Sequence, residues 1–435
     1  MKTVTLKRGL ALALDGAPEQ TLHDGPPIRH VAWQRPANTL LQPEEAVTEG
    51  QPVRMGEGLF RDRHAPQVRH LAPASGIVSR IERDSRQQLT AIEIRCDASM
   101  ACRVERFAPV DNAHQLRDLL QRSGLWTHLR QRPFETTPPP DATPAAIFIT
   151  AMDTRPLAAD PAVIIAARAT EFGIGVDALA MLTAGPVYVC QEKASRLPDR
   201  QCKRVQVVAF SGTHPAGLAG VHIQQLYPCD REHPVWHIDC QDVIAIGTLL
   251  QSGTLDFGRV IALAGSNVRQ PRLLKTRLGA RLDDLLAGQL RDTKNTDPIC
   301  GSVFAGKHRR WLDRFDRQVV SSGMLSMRSG TAVSFMSKSG AKSGTRSGTR
   351  SGAESGDIQL NGFAAEPRFD RISALSMPAV PLLRTLARLD FAAAESMGCL
   401  DLAAEDLELH AFVCPVGNDY PAALTRCHRQ LTGHP

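Results

Sequence analysis

The apolar positions of the first hundred residues recur with a period of two. Ile92, Ile94 and Cys96 alternate with Glu93 and Arg95, which predicts a strand with one buried face. Gly50, Gly56, Gly58 and Gly76 punctuate this stretch where hairpins have to reverse. The prolines between Pro133 and Pro144 predict a stiff linker or strap. Beyond them the period changes. Residues 146–150, 187–190 and 205–210 are short continuous apolar runs, and 161–171 reads as a helix that starts on Pro161. Strands alternating with helices predict a parallel sheet, with the loops at strand C-terminal ends open to ligands. A third unit is expected from Val235, with a helix over 243–250 and a strand over 260–264. Residues 380–389, 392–397 and 402–410 predict short helices near the end.

One stretch follows neither period. Ser-Gly pairs repeat every four residues from Ser339 to Gly356, mostly behind Lys or Arg. Such a sequence has little apolar area to offset backbone ordering and predicts a flexible segment over 328–357. The same bases also suit a tether to membrane phosphates.

Composition narrows the class without naming it. The 435 residues are 43% hydrophobic and 22% charged, which excludes wholesale disorder. No run approaches the ~18 apolar residues that cross a bilayer, and Lys7 and Arg8 follow Met1 with no apolar core of a signal peptide. Any membrane role is therefore expected to be peripheral. The net charge is +6 with only 5% aromatic residues, and the Ser-Gly stretch carries five bases against two acids. That is not the basic, aromatic-studded face of a nucleic-acid binder. The bases over 269–281 suit a partner, acidic headgroups or plain solvent. Ten scattered cysteines contain no C-x-x-C pair, so reduced, mostly buried thiols and no cluster or structural zinc are expected.

Three segments offer candidate chemistry. Gly173-Ile-Gly175-Val-Asp-Ala178 fits G-x-G-x-x-A, but it follows a predicted helix rather than a strand, where Gly173 suits a C-cap. A stand-alone NAD-dependent enzyme would use that loop. Asp153, Thr154 and Arg155 follow the first α/β strand, at the end where open sheets bind ligands. Alternatively Asp153 pairs with Arg155 while Asp160 caps the helix behind Pro161. In Ser211-Gly-Thr-His214-Pro-Ala-Gly217, open backbone N–H groups and His214 suit an anion or carbonyl, or form a structural turn. No nucleophile, base and orienter stand at recognisable spacing, so no catalytic residue is assigned.

These segments occur in one order with Asp242-Val-Ile-Ala-Ile-Gly247, Arg272-Leu-Leu-Lys-Thr-Arg277-Leu-Gly279, Val413-Cys-Pro-Val-Gly-Asn-Asp-Tyr420, Lys7-Arg-Gly-Leu10 and Ala72-Pro-Ala-Ser-Gly76. Together they resemble the A subunit of the bacterial Na+-translocating NADH:quinone reductase, over nearly the whole chain outside the Ser-Gly stretch. The resemblance implies a peripheral, non-flavin subunit on the cytoplasmic face of the inner membrane. Its partners would be integral-membrane and flavin-bearing subunits, which handle NADH, flavins and iron–sulfur chemistry. Ubiquinone is the one ligand it suggests for this chain, with Asp153, Arg155 and His214 as candidate hydrogen-bonding groups. A pure assembly scaffold with no ligand is the third reading. Related redox subunits carry cysteine clusters, but this chain keeps only Cys414-Pro415, so no cofactor is carried over.

The start of the chain also resembles a biotinyl/lipoyl carrier domain, with residues 49–60 as one half and 72–81 opening the other. No lysine stands between Lys7 and Lys193, which excludes a swinging arm. The expected architecture is α/β multidomain. It comprises a carrier-like β sandwich (1–105), a helical, Pro-rich linker (106–144) and a doubly wound Rossmann-like domain (145–232). A small α+β unit of ubiquitin-like or SLBB type (233–327), the Ser-Gly insert (328–361) and a helical C-terminal domain (362–435) follow.

Overall fold

Ala146–Ala151 is the central ribbon of a six-stranded sheet in the computed structural model. The structure describes residues 2–432 except 36–40, 45, 101–105, 196, 198–201, 294–297, 305, 307, 322–359 and 361. The Ser-Gly stretch thus lies outside the described residues. The sheet runs in the order Lys2–Thr5, Val205–Ser211, Val187–Glu192, Ala146–Ala151, Val235–Asp239 and Arg130–Arg132. Its first five strands are parallel, and the last is antiparallel.

The apolar runs are continuous because both faces are covered. Ile147 and Ile149 pack with the helices Pro161–Ala167, Ala169–Leu179 and Cys240–Ser252. Ala146 and Phe148 pack on the opposite side with Ile223 of the helix Ala219–Leu226. The helix expected over 161–171 breaks at Arg168, whose φ of −138° is not helical. Gly173 is therefore not a C-cap; with Gly175 it lies inside Ala169–Leu179. A Cβ on Gly175 would overlap the Val243 carbonyl, and one on Gly247 the Glu171 carbonyl. The glycines let two helices cross with their backbones in contact. They form no strand-to-helix turn that a dinucleotide phosphate needs.

The β domain starts at His30. A four-stranded sheet, His30–Gln34, Leu89–Cys96, Gly76–Arg83 and Pro52–Val53, faces a three-stranded one, Pro43–Glu44, Gly58–Asp62 and Arg69–Leu71. Val31, Leu59, Val78, Ile92 and Ile94 fill the space between them. Glu93, expected on the wet face, is buried against Arg310.

Strand pairing departs from the expected grouping in three places. Lys2–Thr5 leaves the β domain for the edge of the parallel sheet. Glu19–Asp24 instead joins a five-stranded sheet ordered Ile299–Cys300, Gln318–Val320, Gly258–Ala264, Arg272–Arg277, Glu19–Asp24. Val235–Asp239 and the following helix, expected to open the third unit, complete the α/β unit. The Pro-rich strap is ordered: Trp126 Nε1 donates to the Pro138 carbonyl at 2.9 Å, and Arg117 Nη1 to those of Pro140 and Ala142 at 2.8 and 2.7 Å. At the C-terminus, Ala379–Ala387, Phe391–Ser396 and Tyr420–Leu431 enclose their own core of Leu382, Leu383, Leu407, Tyr420 and Leu424.

Candidate functional site

The two loops singled out in the sequence converge at the C-terminal ends of the parallel strands. Thr154 Oγ1 accepts from the Gly217 N–H at 2.9 Å and lies 3.3 Å from His214 Nδ1. His214 is 2% exposed and stacks on Phe304, with ring centroids 4.9 Å apart. Burial, helped by Arg155, lowers its imidazole to about 3, so it is neutral at physiological pH. Its Nε2 is buried without a hydrogen-bond partner among the described residues.

Asp153 and Arg155 hold each other. The Arg155 N–H and Nη1 donate to the Asp153 carboxylate at 2.9 and 3.2 Å, and Nη2 donates to Glu405 at 2.6 Å. Asp160 Oδ1 meanwhile accepts from the Ala162 N–H at 2.8 Å, the cap expected of the structural alternative. Apart from the Gly217 N–H given to Thr154, amides here are spent locally, with Ala216 donating to the Thr213 carbonyl and Leu218 to that of Pro215.

Sequence reasoning missed the network behind these loops. Arg132 is fully buried, pairs with Glu135, and donates through Nη1 to Asp406 at 2.9 Å and to the Asp401 carbonyl at 2.8 Å. Burial pulls its guanidinium down, but Glu135, Asp406 and Glu405 outweigh that and hold it above its ordinary value. His237 Nε2 lies 2.9 Å from Glu135. Arg132 Nη2 also lies 3.7 Å from Glu405, so polar contacts run from Asp153 to His237 and fasten the α/β sheet to the C-terminal helices. The Arg132–Glu135 pair stands at a local spacing of three, but no local spacing could have found Glu405 and Asp406, which lie far along the chain.

A second polar cluster sits at the other end of the helix Cys240–Ser252 from its Gly253 cap. Asp242 is paired with Arg259, His128 Nδ1 lies 2.7 Å from it and Arg317 Nη2 3.4 Å. Burial alone would raise that carboxyl, but Arg259 and His128 hold it well below the usual range. Beside it, a cleft open to solvent lies between the β domain, the α/β unit and the five-stranded sheet. Among the described residues, no group of His, Cys, Asp or Glu is placed to hold a metal ion.

A β sandwich, a parallel α/β unit with an added edge strand, a mixed sheet and a helical cap define a multidomain α/β protein knit by buried ion pairs. The chain matches the NqrA N-terminal barrel-sandwich hybrid domain over residues 4–97, the NqrA second alpha/beta domain over 111–255 and the NQRA C-terminal domain over 260–310. It is 38% identical over 434 residues to the A subunit of the Na(+)-translocating NADH-quinone reductase of Cellvibrio japonicus, covering 96% of each chain. The corresponding proteins of Yersinia pestis and Serratia proteamaculans are 39% and 40% identical over 97% of each chain. This chain belongs to that family, the A subunits of the Na+-translocating NADH-quinone reductase. Structures of an NAD+-reducing [NiFe]-hydrogenase align with TM-scores of 0.36 and 0.39 at 15% and 14% identity, over 48% and 74% of this chain and 47% and 67% of theirs. That likeness is too slight to bear on function.

Proposed function

We propose that this chain is the peripheral, non-flavin subunit of a Na+-pumping NADH:ubiquinone reductase, supporting electron transfer from NADH to ubiquinone and doing no redox chemistry alone. The observation that carries this reading is similarity to NqrA proteins along nearly the whole length. No helix among the described residues is long and apolar enough to cross a membrane, which suits docking on integral partners. In this reading those partners bind NADH, flavins and iron–sulfur groups, and the chain sits at the cytoplasmic face of the inner membrane. The sheets of residues 30–96 serve as a carrier-like sandwich without an acceptor lysine. The parallel sheet is the Rossmann-like unit, and the five-stranded sheet the small SLBB-type unit.

Ubiquinone is its candidate ligand. His214, with a buried, unpartnered Nε2 and a ring stacked on Phe304, offers a hydrogen bond to a quinone carbonyl. Asp153 and Arg155 fix the loop beside it through Glu405. The stand-alone NAD enzyme loses its loop, since Gly173 and Gly175 lie within a helix.

Affinity purification of the tagged chain from detergent-solubilised bacterial membranes tests the main reading. Integral redox subunits should co-elute with NADH:ubiquinone reductase activity. A chain that elutes alone from membranes, or that oxidises NADH by itself, contradicts it. Saturable labelling by a photoreactive quinone, lost in His214→Leu, separates the quinone reading from a pure scaffold.

A further inference from the structure

The cleft between the three units shares no lining residue with the Asp153–His214 region. Leu125 from the α/β unit and Leu278 and Leu312 from the unit of the five-stranded sheet give it apolar walls. Arg314 stands among them. Its Nη1 donates to the Thr127 carbonyl at 2.8 Å, yet no carboxylate among the described residues lies within ion-pairing distance. The nearby acids are already engaged. Asp313 binds Arg309 at 2.7 Å, and Asp256 accepts from the Gly258 N–H at 2.7 Å and faces Arg168 at 3.4 Å. Burial lowers the Arg314 guanidinium to about 10, against the pull of Asp313 and Asp242 and with Arg130 and Arg259 adding to the effect, so it stays charged at pH 7.

The opposite wall supplies two polar side chains with an unmet need. Trp33 and His70 are 5% and 4% exposed, and Trp33 Nε1 and His70 Nδ1 have no hydrogen-bond partner among the described residues. The two rings meet edge to face, 5.5 Å apart, and His70 stacks on Phe60 at 4.4 Å. A buried polar atom left unpaired costs about 1–3 kcal/mol, a deficit that an acceptor on a ligand removes. Burial, reinforced by Arg314, lowers His70 to about 3, so it offers a neutral imidazole and adds no second cation.

A guanidinium without a carboxylate at ion-pairing distance selects charge, and the leucines select the body that carries it. We propose that this cleft binds a small organic acid, one carboxylate on an aromatic or aliphatic body, with the carboxylate on Arg314 and the body against Leu125, Leu278 and Leu312. Trp33 and His70, which also line the cleft, would meet the ligand's remaining polar atoms. A neutral quinone would not use the guanidinium's charge.

The test uses the purified full-length chain, with 4-phenylbutyrate as the acid, 4-phenylbutan-1-ol as its neutral counterpart and decylubiquinone as the quinone. Calorimetry should show one saturable site for the acid, with the alcohol and the quinone at least tenfold weaker. Arg314→Gln should lose at least tenfold in acid affinity, while Arg314→Lys, which keeps the charge, retains most of it. Trp33→Phe should abolish the accompanying change in tryptophan fluorescence but keep binding within a few-fold. Circular dichroism identifies any variant that fails to fold, and the lysine and phenylalanine variants then carry the test. Equal affinity for acid and alcohol, tighter binding of the quinone, acid binding unchanged in Arg314→Gln, or no saturable site would each overturn the proposal. All of these readouts are independent of whether the chain joins a membrane complex.

Discussion

Arg132 and Asp406 stand 274 positions apart in the chain and 2.9 Å apart in the fold, with both side chains out of reach of water. Asp406 also accepts from the Ala403 N–H at 2.8 Å, so one carboxylate both caps a turn and holds the guanidinium. It approaches so closely that a Cβ on Gly220 would overlap its oxygens. A buried cation deprived of its acid is far worse than a buried pair. Asp406→Ala should therefore destabilise the protein by about 3–5 kcal/mol. Urea unfolding followed by tryptophan fluorescence and by protease sensitivity of residues 379–431 measures it. A loss below about 1 kcal/mol would mean that Glu135 and Glu405 hold Arg132 without help.

The helix crossing makes an equally specific demand. Gly247 lies against the Glu171 carbonyl with no room for one more carbon. Alanine usually favours a helix, by about 1 kcal/mol over glycine. Here Gly247→Ala should instead lower stability by about 1–3 kcal/mol, because the backbones have to separate. A thermal melt decides between the two signs.

Four buried histidines set the acid limit. Burial lowers His70 and His214 to about 3, and His222 and His410 to about 4, all from an ordinary 6.5. Below pH 6.5 the unfolded chain takes up protons that the folded chain refuses. Stability is thus full above pH 6.5 and declines as pH falls towards 4, by up to about 1.4 kcal/mol per pH unit for each histidine. Denaturant midpoints at pH 7, 6 and 5 should show this slope. His222→Gln, which can still donate to the Ala216 carbonyl that Nε2 reaches at 2.9 Å, should make it shallower.

Asp316 acts in the opposite direction. Burial, with Asp313 nearby, raises its carboxyl to about 7 from 3.8. The folded chain keeps this proton where the unfolded chain loses it, so its contribution to stability fades as pH rises from 4 through 7. Asp316→Asn should be more stable than the unaltered chain at pH 8, by about 1–3 kcal/mol, and should lose that advantage at pH 4. Its amide oxygen still accepts from the Asp313 N–H, a bond of 2.8 Å in the native protein. Paired melts at the two pH values give the sign.

The parallel core was legible because Ala146–Ala151, Val187–Glu192 and Val205–Ser211 are covered on both faces and read as unbroken apolar runs. Lys2–Thr5 was not, since an edge strand of sequence KTVT carries little apolar signal. The pairing of Asp153 with Arg155 was open as an alternative at two-residue spacing, but nothing local could announce Glu405, 250 positions from Arg155. The cleft was hidden for the same reason. Trp33, His70 and Arg314 look like an ordinary aromatic, a strand histidine and a surface base until three separately folded units bring them together.

Thr5 and Ser211 touch across 206 positions of chain. During synthesis the opening strand therefore emerges long before its neighbour exists and has to wait while the β domain and most of the parallel sheet are made. The strand Lys2–Thr5 is therefore among the last elements of the parallel sheet to be seated. A bulky fusion placed before Lys2 would fall at this late stitch, so tags on this polypeptide belong at its other end.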